Sequence, residues 1–192
     1  MRETIRKLTS NMWTIPNVLT MLRLVAVPFF IWAYLAGARW VALGLFCAAS
    51  LTDCLDGYLA RKLNQITDFG KLMDPLADKL LVIATLLLHT ISGVFPPLPL
   101  WIIVAKELLM VTGGAVLLKK GVVVHSNIWG KTATVFFVAA LILAFFHTEL
   151  AGAGFPADIW LLWAAVALNL AALVSYAVSS WKQLTDRNNQ KH

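Results

Sequence analysis

Apolar residues fall into six long runs separated by short polar or glycine- and proline-rich stretches. The runs cover about Pro16–Leu35, Trp40–Leu63, Lys71–Ser92, Leu100–Leu118, Ile128–Phe146 and Ile159–Trp181. Each is near the ~20 residues a helix needs to cross the hydrocarbon layer, so the pattern predicts an all-α integral membrane protein with six transmembrane helices. Pro16 suits the first turn of a helix, where its missing N–H is not needed. Ahead of it, residues 1–15 set Arg2, Arg6 and Lys7 beside Ile5, Leu8, Met12 and Trp13. That segment predicts an amphipathic helix lying on an anionic membrane surface. Pro96, Pro97 and Pro99 mark one tight loop, and Gly152, Gly154 and Pro156 a turn before the last run. One domain over residues 1–192 follows: the interfacial segment 1–15, a six-helix bundle over 16–183 and a cytoplasmic tail over 184–192.

Composition sharpens this picture. Of the 192 residues, 59% are hydrophobic and 14% charged, which excludes a soluble domain. The net charge of +6 does not point to nucleic acid, because the basic residues alternate between connections instead of forming one patch. On one side lie Arg2, Arg6, Lys7, Arg61, Lys62, Lys71, Lys119, Lys120, Lys131, Lys182, Arg187 and Lys191; on the other lies Arg39. The positive-inside rule then puts both termini in the cytoplasm of a multi-pass cell-membrane protein. Tryptophans 13, 40, 101, 129, 160 and 181 sit near the predicted span ends, as interfacial aromatic belts do. Cys47 and Cys54 lie in one run and read as packing residues, with no local disulfide. No cleavable leader is expected, because the first run is too long and polar residues precede it. His125, in a basic turn, reads as a surface residue.

The chemistry lies between the second and third runs. Asp53, Asp56, Gly57 and Ala60 share one stripe of a helix, and Gly70, Asp74 and Asp78 share a stripe of the next. An ionised carboxylate inside a bilayer costs about 2.5–3.5 kcal/mol on insertion scales, so four such residues imply a task. Two facing helices bearing two carboxylates each can enclose one or two hard divalent cations with oxygen ligands. The small residues leave room for a substrate against the backbone. At 1.5 Å per residue Asp53 stands roughly 13 Å above Lys62, so the site reaches just below the cytoplasmic headgroups. A lipid can present its phosphate there from the side while a soluble group enters from the cytosol. A transporter would spread polar residues over several helices near the midplane, often with an internal repeat; neither is evident. A membrane scaffold would leave the four aspartates without purpose.

The run Asp53-x2-Asp56-Gly57-x2-Ala60-Arg61-x8-Gly70-x3-Asp74-x3-Asp78 matches every fixed position of the CDP-alcohol phosphatidyltransferase signature, and the sequence resembles that family over nearly its whole length. The resemblance implies transfer of the phosphatidyl group of CDP-diacylglycerol to an alcohol with release of CMP. It implies Mg²⁺ or Mn²⁺, as two ions, held by Asp53, Asp56, Asp74 and Asp78, with Asp78 as the base on the acceptor hydroxyl. Gly57, Ala60, Arg61 and Gly70 would line the nucleotide site, with Asn17 and Thr20 from the first run. A homodimer is also implied. Ile15-Pro16-Asn17-Val-Leu-Thr20 is similar to the opening of the bacterial phosphatidylglycerophosphate synthases, whose acceptor is sn-glycerol 3-phosphate. Asp74-Pro-Leu-Ala-Asp78-Lys79 is shared with the cardiolipin synthases, whose acceptor is phosphatidylglycerol, so the resemblance favours sn-glycerol 3-phosphate as acceptor and leaves phosphatidylglycerol or another alcohol as the alternative. A phosphorylated acceptor needs cations, and Lys131 of the Gly130-Lys131-x2 segment, with Lys106 or Lys119, can supply them. Lys106-Glu107 stands where this group commonly has Arg-Glu. Being adjacent, the two need not pair with each other, and Lys106 reads equally as an acceptor-phosphate ligand or as a member of a buried structural ion pair. Arg23 can snorkel to the interface or pair with an aspartate of the site.

Overall fold

The computed structural model describes residues 14–62, 68–119 and 128–189; the N-terminal amphipathic segment up to residue 13, the connection around His125 and the last three residues lie outside them. Among the described residues there are seven helices and no strand: α1 Ile15–Leu35, α2 Arg39–Lys62, α3 Asp68–Ile91, α4 Pro97–Lys119, α5 Ile128–Ala144, α6 His147–Gly152 and α7 Ala157–Asn189. Six of them follow the six apolar runs. The seventh, α6, occupies part of the stretch read from sequence as a simple glycine-rich turn. The last helix also runs past Trp181 into the segment read as a tail.

The helices Asn17–Leu35, Pro97–Gly114 and Ala157–Trp181 are long and apolar enough to cross a membrane. Shorter apolar stretches occupy Arg39–Thr52 and Gly130–Ala144. Their outer faces suit lipid. On α1 the exposed residues Val18, Leu22, Val25, Phe29 and Trp32 recur every three or four positions, opposite a buried stripe. Trp40, Trp101 and Trp160 are exposed near helix ends, and Trp181 is exposed at the end of the apolar stretch Ala157–Trp181. Large apolar side chains turned outward in such numbers would aggregate in water and are at home in a bilayer. The hydroxyls of Thr85, Thr112 and Ser180 donate to carbonyls one turn earlier, which satisfies them where no water is at hand.

Three helices end in one device. At the end of α1 Gly37 takes φ +73°, the N–H of Ala38 donates to Ala33 O and that of Gly37 to Tyr34 O. This Schellman turn needs a left-handed residue, which glycine adopts without strain. Gly93 after α3 and Gly154 after α6 close the same pair of bonds.

The chain forms two compact units, Met1–Leu88 and His89–His192. In the first, α1 and α2 form an antiparallel hairpin through the Gly37 turn. Phe30 meets Phe46 with ring centroids 6.1 Å apart, beside buried Val27, Ala33, Ala42 and Ala49. In the second unit α5 lies along α7. Ala133, Ala140, Ala144 and Ala165 are buried, and these small side chains admit close helix approach. Lys106 pairs with Asn169, and a Cβ on Gly114 would lie 3.5 Å from the Tyr176 hydroxyl. Both contacts advance along α4 and α7 together, so these helices run parallel.

Candidate active site

The first unit organises the motif by register. The buried face of α2 comprises Ala42, Phe46 and Ala49 at spacings of four and three. Continued along the same helix, that stripe passes through Asp53, Asp56, Gly57 and Ala60. The face of α3 comprises Ala77, Leu81, Thr85 and Leu88, and half-buried Asp78 borders it one turn beyond Asp74. Counted from the adjacent ends of α2 and α3, Asp56 and Asp74 each lie six residues in, about 9 Å. Asp53 and Asp78 lie nine and ten residues in, about 14 and 15 Å. On each helix the two aspartates are thus about one turn apart. The side chains of Asp53, Asp56, Gly57, Ala60, Arg61, Gly70 and Asp74 lie outside the described set, so only their helix positions are given.

The buried stripe of α1 changes character along its length. Val27, Phe30 and Ala33 are apolar, whereas Asn17, Thr20 and Arg23 are polar and no more than 1% exposed. A transmembrane helix that buries its polar residues turns them toward protein, not lipid. The hairpin brings them beside the motif: Thr20 lies ten residues before Phe30 and Asp56 ten after Phe46, with Asn17 near the level of Ala60. The two residues expected from α1 and the motif stretch of α2 therefore share one end of the hairpin. Arg23 was the residue whose place sequence alone left open, because its level is set by the Phe30–Phe46 contact.

The donor set is all carboxylate oxygen, which fits a hard divalent cation such as Mg²⁺ or Mn²⁺ and suits soft metals poorly. Among residues with described side chains, no three His, Cys, Asp or Glu residues converge on a point.

The expected acceptor-phosphate residues lie in the second unit. Lys131 is exposed in the first turn of α5. Lys119 ends α4, with its side chain outside the described set. Lys106 is half-buried, ion-paired with Glu107 and donating a 3.1 Å hydrogen bond to Asn169 Oδ1. The adjacent Lys106 and Glu107 do pair, as the structural ion pair that the sequence left open for Lys106. The long lysine stem folds back across one residue, and its ammonium bridges Glu107 and Asn169 of α7. Asn169 in turn donates to Ala165 O at 3.0 Å, which fixes its oxygen toward Lys106. Sequence reasoning missed Asn169 and a second buried polar pair, His147 with Asp158, whose Nδ1 and Oδ2 lie 2.7 Å apart. A lone Asn inside the last apolar run and an Asp directly before it were the available signals.

The model of the CDP-alcohol phosphatidyltransferase family matches residues 13–171. The chain is 35% identical over 195 residues to the CDP-diacylglycerol–glycerol-3-phosphate 3-phosphatidyltransferase of Bacillus subtilis (strain 168), covering 92% of this chain and 100% of that protein. It is 32% identical over 198 residues to the corresponding enzyme 2 of Arabidopsis thaliana, covering 93% and 84%. A shorter stretch of 78 residues is 50% identical to a CMP-forming cardiolipin synthase of Oryza sativa subsp. japonica, covering 39% of this chain and 24% of that protein.

Proposed function

Because the chain belongs to the CDP-alcohol phosphatidyltransferase family, we propose that it transfers the phosphatidyl group of CDP-diacylglycerol to sn-glycerol 3-phosphate, giving phosphatidylglycerophosphate and CMP. One observation carries the choice of acceptor: the relative matched over its full length bears that activity in its name. The hydroxyl oxygen of glycerol 3-phosphate attacks the phosphorus next to diacylglycerol. The bond from that phosphorus to the oxygen shared with CMP breaks, and CMP leaves with the electron pair. Asp78 takes the proton of the attacking hydroxyl; its half-buried position one turn from Asp74 suits a base that must meet a small soluble acceptor.

Asp53, Asp56, Asp74 and Asp78 hold Mg²⁺ or Mn²⁺, which when bound neutralises pyrophosphate charge and stabilises the charge growing on the attacking and leaving oxygens. Arg61 forks onto phosphate oxygens. Gly57, Ala60 and Gly70 keep the α2 and α3 surfaces low enough for the nucleotide, with Asn17 and Thr20 offering polar groups from α1. Lys131, with Lys119 and Lys106, receives the acceptor phosphate. Six spans with both termini and the motif at the cytoplasmic face of the cell membrane, and a homodimeric assembly, complete the reading. Support for the topology comes from the lysine and arginine asymmetry and from the parallel course of α4 and α7.

A second reading has a specific basis. The stretch shared with a cardiolipin synthase leaves phosphatidylglycerol as the competing acceptor. The test is CMP release by purified protein in detergent, with CDP-diacylglycerol, Mg²⁺ or Mn²⁺ and one acceptor at a time. Release with glycerol 3-phosphate alone supports the proposal. Release with phosphatidylglycerol instead moves the protein to the second reading, and no release by folded protein with either acceptor overturns both.

A further inference from the structure

Arg23 carries a permanent charge into a helix that is otherwise apolar on every side at its level. It is 1% exposed and stands about 9 Å along α1 from Asn17. A buried guanidinium without a counter-charge costs several kcal/mol, so a chain that keeps one there sets it against an anion. The hairpin register identifies the anion. Arg23 lies seven residues before Phe30 and Asp53 seven residues after Phe46, and those two rings are in contact. Both residues therefore stand about 10.5 Å from the contact, toward the same end of the antiparallel pair. Both also continue the stripes by which the two helices bury each other: Phe30, Val27, Arg23 on α1 and Phe46, Ala49, Asp53 on α2. The next acidic residue on α2, Asp56, is about one turn further away, level with Thr20.

We infer that Arg23 is a positioning residue, the resident counter-charge of Asp53. Its guanidinium offsets the charge of that carboxylate and aims it within the membrane before any divalent ion arrives. Arginine suits the task, since it stays charged at any depth and its planar fork fixes a carboxylate in two directions. The inference rests on the reading of Asp53 as a working carboxylate of the site, and it adds a partner which the signature itself lacks.

The test is a double-mutant cycle on thermal unfolding of the purified full-length protein in detergent with EDTA. Arg23→Gln and Asp53→Asn each strand one buried charge, and each should lower the midpoint by about 5–10 °C. The double variant strands neither and should recover most of the loss. Arg23→Lys, which keeps the charge, should fall less than Arg23→Gln. Additive losses in the double variant overturn the pairing. Should Arg23→Gln not purify in folded form, a folded double variant supports the pairing and an equally unfolded one overturns it. The cycle is read without substrate or metal. Coupling in a protein whose midpoint ignores Mn²⁺ would keep this pairing while sinking the metal reading.

Discussion

Phe30 on α1 and Phe46 on α2 meet at 6.1 Å between ring centroids, tilted at 44°, and this contact sets which residues of α1 stand beside the aspartates of α2. Both rings are fully buried. Phe46→Ala should cost about 3–5 kcal/mol of stability. Because it also loosens Asn17, Thr20 and Arg23 against the motif, turnover per folded molecule should drop by up to about a hundredfold. Phe46→Leu, which refills most of the volume, should restore much of both. Unfolding midpoints and CMP release measured on the same preparations check this; an Ala variant with full specific activity would break the link between contact and site.

Lys131 and Lys106 should behave differently despite their shared proposed role. Lys131 is exposed, so Lys131→Ala should raise KM for glycerol 3-phosphate by about tenfold or more, the loss of one charge-assisted phosphate contact, without moving the unfolding midpoint. Lys106 bridges Glu107 and Asn169. Its replacement by Ala should lower the midpoint as well, since Glu107 loses its ion pair and Asn169 its donor. Asn169→Ala should reproduce the stability loss alone. Steady-state kinetics beside thermal unfolding separate the two effects.

Asp158 is fully buried and His147 holds one of its oxygens. This pair ties α6 to the start of α7 and plays no part in the proposed chemistry. His147→Ala should cost about 1–3 kcal/mol by stranding the carboxylate, with kcat per folded molecule unchanged. Reduced turnover in variant protein that is fully folded would contradict a purely structural role.

Removal of divalent ions should stop CMP release completely, and Mg²⁺ or Mn²⁺ should restore it, because an all-carboxylate donor set has no other way to neutralise a pyrophosphate. Activity that persists in EDTA after extensive dialysis would exclude the aspartates as ligands of an essential ion.

Much of this was legible in the chain. Run lengths near a membrane span gave the six long helices, and fixed spacings gave two acidic stripes, because helical register follows from sequence separation alone. Other features depend on contacts between distant residues. Arg23 acquired a level only through Phe30 and Phe46. The hydrogen bond from Lys106 to Asn169, sixty-three positions away, depends on the packing of α4 against α7. The short helix His147–Gly152 was hidden because Gly152, Gly154 and Pro156 signal a turn, and the Gly154 turn does exist, one step after the helix.

The central claim is that this aspartate cluster passes a phosphatidyl group to glycerol 3-phosphate, with Asp78 taking the proton. The most direct measurement is incorporation of labelled glycerol 3-phosphate into lipid by the wild-type protein and by Asp78→Asn, with CDP-diacylglycerol binding followed in parallel. The account predicts labelled phosphatidylglycerophosphate from the wild type, and a variant that binds the CDP-lipid yet makes at least about 10²-fold less product. Full activity in Asp78→Asn, or a folded wild-type protein that labels no lipid, would contradict it.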